Sequence, residues 1–184
     1  MRTILGIDPG TNVLGYGIIR CSGRNNAKLV VLGVIELSKY RDHYTKLKVI
    51  YERVQHLVDE YKPNEVAIEA PFYGKNVQSM LKLGRAQGVA MAAVLSRSIP
   101  IYEYAPRKIK LAITGVGSAS KEQVAAMLKN ILGERGFDSE YLDATDGLAA
   151  AVCHFFQGEQ NGTESRTSSW EEFIRKNPGR VKDK

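Results

Sequence analysis

Cysteine and long apolar runs are both scarce in this sequence. The two cysteines, Cys21 and Cys153, lie far apart in apolar runs, a spacing that matches neither a disulfide framework nor a cysteine metal cluster and that favours a reducing cytoplasm. No stretch approaches the ~18 apolar residues of a membrane span, and the first apolar run already ends in an acid at Asp8. We therefore expect a cytoplasmic chain that is neither secreted nor bound to a membrane.

Two common kinds of catalytic site are also missing from the sequence. The three histidines, His43, His56 and His154, are scattered without the spacing of metal ligands, and no glycine-rich phosphate loop ends in Lys-Ser or Lys-Thr. These absences argue against a histidine metal centre and a P-loop nucleotide site. His56 and His154 lie in helical patterns, and we expect them to be structural.

Acidic residues are outnumbered by basic ones. The formal charge is +6 at pH 7, and six of the 26 basic and five of the 20 acidic residues lie in residues 157–184, so most of the excess belongs to the rest of the chain. A basic domain mildly favours a nucleic-acid partner. Apolar residues become rare after Phe156, which predicts one domain over residues 1–157 and a flexible polar tail over 158–184, to which we assign no function.

Apolar periodicity divides that domain into strands and helices. Strands are predicted at residues 3–8, 14–20, 28–37, 65–69 and 99–104. Helices are predicted at residues 47–61, 77–97, 120–132 and 143–156. The first three strands have short connections, which implies antiparallel neighbours, whereas the later strands alternate with helices. This order predicts an α/β, ribonuclease-H-like fold of three layers, with a mixed five-stranded central sheet flanked by helices on both faces.

Four acids stand where a predicted strand ends or a helix begins. Asp8 precedes a Pro-Gly turn and Glu69 ends an apolar strand, so both carboxylates should project from the same edge of the sheet. Asp143 and Asp146 are three residues apart, which places them on one face of a helix. Magnesium prefers such oxygen ligands, and two ions about 4 Å apart can clamp a phosphodiester. Any one of these acids could equally cap a turn or a helix.

The motifs around these acids resemble those of the RuvC family of Holliday-junction resolvases. The matching segments are residues 7–11 (Ile-Asp-Pro-Gly-Thr), 15–17 (Gly-Tyr-Gly), 68–72 (Ile-Glu-Ala-Pro-Phe), 115–117 with Lys121, and 141–150 (Tyr-Leu-Asp-Ala-Thr-Asp-Gly-Leu-Ala-Ala). Each motif alone is weak, but their order is specific, and the similarity covers roughly residues 2–157.

The resemblance implies an endodeoxyribonuclease that acts in DNA recombination and repair. Such an enzyme resolves four-way junctions by symmetric paired nicks, with a metal-activated water attacking the phosphodiester. It implies that Asp8, Glu69, Asp143 and Asp146 are catalytic and hold two Mg²⁺ ions per subunit, for which Mn²⁺ can substitute. It also implies a homodimer and RuvA and RuvB as branch-migration partners.

The resemblance further assigns residues that contact DNA. Phe72 matches an aromatic residue that stacks on unpaired bases at the junction centre, with Tyr73 beside it and Lys75 in the same polar-flanked loop. Lys110 and Lys121 match positions that contact the phosphodiester near the cut. These five residues are therefore predicted to bind DNA.

Two features of the second helix stay open. Relatives commonly carry Arg where Gln87 stands, while Arg85 lies about 200° away around the helix, so a phosphate contact at either position is undecided. The small residues around Gly84 to Ala93 predict that this helix lies in the core or near a dimer interface. The preferred cleavage sequence and the relative weight of Asp143 and Asp146 are open as well.

Three alternative functions compete with the junction resolvase. A related nuclease acting on RNA-containing duplexes would keep the acids without needing Phe72 or a dimer. An inert junction-binding module would be expected to lack at least one of the four acids, and none is missing. An actin-like ATPase shares the Asp-Pro-Gly-Thr motif but needs a much longer chain.

Overall fold

The computed structural model describes residues 1–23, 26–71, 76–133 and 142–157. In chain order, its elements are β1 (Arg2–Asp8), β2 (Val13–Cys21), β3 (Ala27–Glu36), α1 (His43–Tyr61), β4 (Glu65–Glu69), α2 (Val77–Leu95), β5 (Ile101–Tyr104), α3 (Pro106–Thr114), α4 (Lys121–Leu132) and α5 (Leu142–Gln157). Within these ranges, no helix combines the length and apolar character that a membrane crossing requires.

The five strands form one mixed sheet in the order β3-β2-β1-β4-β5. The short connections make β1, β2 and β3 antiparallel neighbours, as the sequence predicted. The connections through α1 and α2 return the chain so that β4 lies parallel to β1, and β5 lies parallel to β4. The predicted mixed five-stranded sheet is therefore confirmed.

Each face of the sheet carries its own apolar core, because alternate side chains of a strand point to opposite faces. Leu5 and Ile7 of β1 pack with buried residues of α1 and α2 on one face. Ile4 of β1 packs with α3, α4 and α5 on the other. The three-layer arrangement predicted from the sequence is confirmed, and α5 is the helix laid across β1 and β2.

Among the described residues, one helix, α3, was not predicted by the periodicity. Pro106 stands in its first turn, where the missing N–H costs nothing, and Gly115 ends it in the left-handed conformation with a φ of 76°. Ile109 and Ile113, one turn apart, are its buried residues. Nine residues with two buried positions are too short a pattern to separate from a loop, which is why the helix was missed.

Three of the four predicted helices agree with the structure to within two residues at each end, whereas α1 begins at His43, four residues before the predicted start. Lys62, directly after α1, adopts a left-handed conformation, and Gly133 does the same after α4. The capping box at the start of α4 is present, with the Ser120 side chain accepting from the Gln123 N–H and Gln123 accepting in return from Ser120. This box fixes the backbone next to Lys121, which matters for the site described next.

Candidate active site

Two of the predicted acids meet at the carboxyl edge of the sheet. Ile7 and Ile68 are paired across the parallel strands β1 and β4, so Asp8 and Glu69, one residue further along each strand, end side by side. Both line a recess of about 200 Å³, together with Pro9, Ala70, Pro71, Leu83 and Gln87.

Helix α5 brings the other two acids to the same edge, and glycines in β2 allow its approach. Gly15 is paired with Asp8 across the sheet, and a Cβ built on Gly15 would overlap the carbonyl oxygen of Asp143. A Cβ on Gly147 would in turn stand 2.6 Å from the carbonyl oxygen of Gly15. The start of α5 therefore rests directly on strand backbone, which no residue larger than glycine permits.

Lys121, the first residue of α4, stands among the acids. Its Nζ is 2.5 Å from Oδ2 of Asp146 and 3.3 Å from Oδ1 of Asp143. The Asp146 side chain is 18% exposed, whereas that of Asp143 is 61% exposed. The spacing of three residues thus places both α5 acids on one face, as predicted, and one ammonium bridges them.

The two strand acids have strongly raised pKa values. Burial, and then the charge of Asp146, raise the pKa of Asp8 to about 7, while Lys121 opposes the rise. Burial, and then the charge of Asp8, raise the pKa of Glu69 to about 8, with Lys121 and Lys110 opposing. Carboxylates close enough to repel one another in a partly dry site need positive charge to stay ionised.

The donor set suits a hard divalent cation, which takes carboxylate oxygens in preference to nitrogen or sulfur. The four acids supply such oxygens from three elements, and their mutual repulsion is what a bound cation would relieve. Within the part of the chain that the structure describes, however, no three Asp, Glu, His or Cys side chains stand in a ready-made ligand arrangement. The nearest positive group is instead the ammonium of Lys121.

The remaining predicted DNA contacts divide into two groups. Lys110, in α3, lies close enough for its charge to act on Glu69, whereas Lys121 contacts two of the acids directly. Phe72, Tyr73 and Lys75 lie outside the described residues.

The structure clarifies the two positions in α2 that the sequence left open. Gln87 is only 7% exposed, and its Nε2 donates to Oε2 of Glu103 at 3.1 Å, so its amide is engaged inside the protein. Arg85 is exposed, which leaves it the better placed of the two for a phosphate. Sequence reasoning missed that Gln87 lines the recess; its apolar neighbours Ala86 and Ala90, both buried, were the available signal.

Comparison with known proteins identifies the family. A family model described as "Crossover junction endodeoxyribonuclease RuvC" matches residues 4–154. The chain belongs to the RuvC family. RuvC of Bacteroides fragilis is 59% identical over 182 residues, which are 98% of this chain and 96% of that protein. RuvC of Porphyromonas gingivalis is 56% identical, and the match covers 98% of this chain and 97% of that protein.

Solved RuvC structures have the same fold. RuvC of Thermus thermophilus in complex with a Holliday junction substrate is 31% identical and superimposes with a TM-score of 0.78, covering 88% of this chain and 97% of that one. The Holliday junction resolvase Ydc2 of yeast mitochondria, at 12% identity and a TM-score of 0.64, shares the fold. The ribonuclease-H-like expectation and the RuvC resemblance are both confirmed.

Proposed function

We propose that this protein is a structure-specific, metal-dependent endodeoxyribonuclease that resolves Holliday junctions by paired symmetric nicks. One observation carries the proposal: in a chain of the RuvC family, four carboxylates from β1, β4 and α5 lie at one edge of the sheet, where the Lys121 ammonium contacts two of them and acts by charge on the other two. Such a density of acids is useless for binding DNA and costly for stability, unless cations occupy it during catalysis.

In this proposal, Asp8, Glu69, Asp143 and Asp146 hold two Mg²⁺ ions, and Mn²⁺ can replace them. Divalent cations there would lower the pKa of an attacking water and offset the charge that builds on the phosphate. The strand acids supply fixed ligands from the sheet, whereas the α5 acids approach from the adjoining layer. The recess beside Asp8 and Glu69 provides room for the reacting phosphate.

Lysines and aromatic residues hold the DNA in place. Lys121 and Lys110 offset phosphate charge beside the acids, and a flexible ammonium can do so without fixed bidentate geometry. Phe72 stacks on unpaired bases at the centre of the junction, with Tyr73 and Lys75 in support. The proposed catalytic unit is residues 1–157, and residues 158–184 form a polar tail outside it.

A homodimer accounts for paired cuts, and an unpartnered face of α2 supports it. Val77, Leu81 and Leu95 are 68%, 52% and 58% exposed, and their spacing puts them on one side of the helix with Gly84 and Gly88. A Cβ added at either glycine would meet no described atom within 4 Å beyond the adjoining turns of α2 itself, so the described residues leave this side bare. A second copy of the chain would cover it.

The cellular setting follows from the same family expectation. RuvA and RuvB are the proposed branch-migration partners, since a resolvase needs a junction that is moved to its cutting site. A cytoplasmic location is proposed as well, and it is supported by two buried cysteines, Cys21 and Cys153, that remain free thiols.

The deciding test is magnesium-dependent cleavage of a strand-labelled four-way junction with a mobile core. Wild type and Asp8→Asn are compared on this junction, on linear duplex and on an RNA/DNA hybrid. We expect paired nicks on the junction from the wild type, and a loss of about a thousandfold or more from Asp8→Asn, because a hard anionic ligand is gone. Asp59→Asn, an exposed acid of α1, is the control and should cut normally.

The outcomes separate the competing functions. Cutting of the hybrid would favour a nuclease acting on RNA-containing duplexes. Junction binding without any cleavage by the wild type would favour an inert junction-binding module. Cleavage by Asp8→Asn at the wild-type rate would remove Asp8 from the catalytic set.

A further inference from the structure

The ammonium of Lys121 lies among the four acids of the site. Its ammonium contacts Asp146 and Asp143 directly, and its charge also acts on Asp8 and Glu69. All four acids thus share one positive neighbour, although they come from two strands and a helix. An ammonium in that position has the same role toward the carboxylates that a bound cation would have.

We propose that Lys121 is an internal counter-cation, which neutralises the acids before metal binds and must release Asp143 and Asp146 for the metal to take them. The inference rests on the proposed metal-dependent function. It adds that the metal ion replaces the lysine ammonium at the acids and does not enter an empty site.

The geometry allows this exchange without unfolding. The capping box of Ser120 and Gln123 holds the backbone at Lys121, while the lysine side chain is 48% exposed. Four rotatable methylene groups then let the ammonium swing outward while α4 stays in place. The Asp146 contact is the shorter one, so it is the contact that the metal must chiefly displace.

The exchange would couple metal binding to DNA binding. A phosphate near the site offers the ammonium a new anionic partner, which frees Asp143 and Asp146 for the cation. Because such coupling is reciprocal, metal should tighten DNA binding as much as DNA tightens metal binding. The protein free of DNA would accordingly hold metal weakly.

The test measures metal affinity directly, without relying on activity. Mn²⁺ and Mg²⁺ are titrated calorimetrically into the full-length protein without DNA, and unfolding temperatures are recorded with and without metal. The variants are Lys121→Met, Lys121→Arg and Lys110→Met. Lys110→Met is the matched control, because Lys110 also acts on Glu69 by charge but, among the described residues, forms no ion pair with the four acids.

We expect Lys121→Met to lower the unfolding temperature without metal. It should also bind metal about tenfold to a hundredfold more tightly, because the metal no longer has to break the charge-assisted hydrogen bonds of the lysine. Lys121→Arg, which keeps the charge, should stay near wild type. Lys110→Met should change metal affinity by less than about threefold.

Three results would overturn the inference, and they are distinguishable from one another. Unchanged or weaker metal binding by Lys121→Met, with normal binding by the wild type, would reject the exchange and leave the metal-dependent function standing. Equal gains in metal affinity from Lys110→Met and Lys121→Met would mean that the effect comes from the overall charge of the protein and not from the contacts of Lys121. Metal binding by neither wild type nor variant would reject the proposed metal site together with the inference.

A second measurement tests the coupling to DNA. Ca²⁺ is titrated into the wild type and into Lys121→Met, each alone and each bound to a four-way junction. The wild type should gain about fivefold or more in Ca²⁺ affinity from the junction, beyond the gain of Lys121→Met. Equal gains in the two proteins would contradict the proposed release of Lys121 by phosphate.

Discussion

The four acids of the site are unequal as individual residues. Asp8 and Glu69 are tied to adjacent strands and have raised pKa values because burial disfavours their charge. Asp143 and Asp146 both contact Lys121, but Asp146 lies deeper and closer to the ammonium. Fewer water molecules reach the more enclosed carboxylate. Water can therefore not readily take its place when it is removed, and its loss should have the larger effect.

This asymmetry gives a prediction for the two acids of α5. Asp146→Asn should reduce junction cleavage by about tenfold or more relative to Asp143→Asn, because Asp143 is largely exposed and water can take over part of its role. Single-turnover cleavage at saturating enzyme measures the difference. Equal losses, or a greater loss from Asp143→Asn, would show that depth in the site does not decide the contribution of each ligand.

Helix α5 and strand β2 are the elements that bring the acids together. The backbone contact at Gly15 sets how closely the start of α5 approaches the sheet, and thereby how close Asp143 stands to Asp8. A side chain at this point would separate two of the elements that carry the four acids. The glycines of residues 15–17 are therefore explained by packing next to the site.

Gly15→Ala should destabilise the protein and weaken the proposed metal site together. We expect a loss of about 1–3 kcal/mol in the free energy of unfolding from overpacking, and a smaller rise in unfolding temperature on adding Mn²⁺. Lys48→Ala is the control: that residue is exposed within α1, so alanine should change the stability by less than about 0.5 kcal/mol and leave the response to metal intact. Undiminished metal stabilisation in Gly15→Ala would mean that α5 can shift without disturbing the acids.

A second contact between elements lies at the far end of α5. His154 is 2% exposed; its Nδ1 is 2.6 Å from the Tyr104 hydroxyl and its Nε2 is 2.9 Å from Oε2 of Glu65. Arg2 also contacts Glu65, at 3.4 Å. The expected structural role of His154 is confirmed, since it joins α5 to β4 and β5 within the core.

The protonation of His154 should make stability depend on pH. Burial lowers the pKa of His154 below its ordinary value of 6.5, although Glu65 opposes the shift. As the pH falls below about 6.5, the unfolded chain binds a proton at His154 that the folded protein does not bind. Stability is therefore retained above that pH and declines below it.

His154→Gln should flatten this decline when the unfolding temperature is measured between pH 5 and pH 7. At neutral pH the same variant should cost about 1–3 kcal/mol, because buried partners lose a hydrogen bond. His56→Gln serves as the control, since His56 is exposed and paired only with Glu60 among the described residues. An unchanged pH profile in His154→Gln would assign the acid sensitivity to other groups.

For the whole molecule, the expectation for the glycine- and alanine-rich helix divides in two. Ala90 and Ala93 are buried in the core, whereas Gly84 and Gly88 are exposed with open space around them. These two glycines therefore do not lie in the core. The dimer interface stays a prediction for them.

Gly88→Leu tests that prediction. Because a side chain at Gly88 would meet no described residue outside the adjoining turns of α2, leucine should leave the far-ultraviolet circular dichroism and the monomer fold intact, while it separates two copies packed at this point. The molar mass from light scattering should fall from dimer toward monomer. Glu52→Leu on the exposed side of α1 should not change it, and an unaltered mass for Gly88→Leu would place the interface elsewhere.

Much of the fold followed from the sequence because its signals are local. Alternating and helical apolar periods depend on neighbouring residues, and so do caps such as Ser120 with Gln123 and stops such as Gly133. Helix α3 was missed because its evidence is one proline and two isoleucines over nine residues. The motifs around Asp8, Glu69 and Asp143 identified the family, since each is a short run of contiguous residues.

The sequence by itself determined the five strands, four of the five described helices and the family, and it named the four acids as candidates. Only the tertiary structure decided which groups surround them: Lys121 between Asp143 and Asp146, Gln87 turned inward to Glu103, and Gly15 beneath α5. These contacts join residues from separate elements, and their distances depend on how layers pack over the sheet. Local patterns cannot encode that packing, because it arises from burial summed over the entire chain.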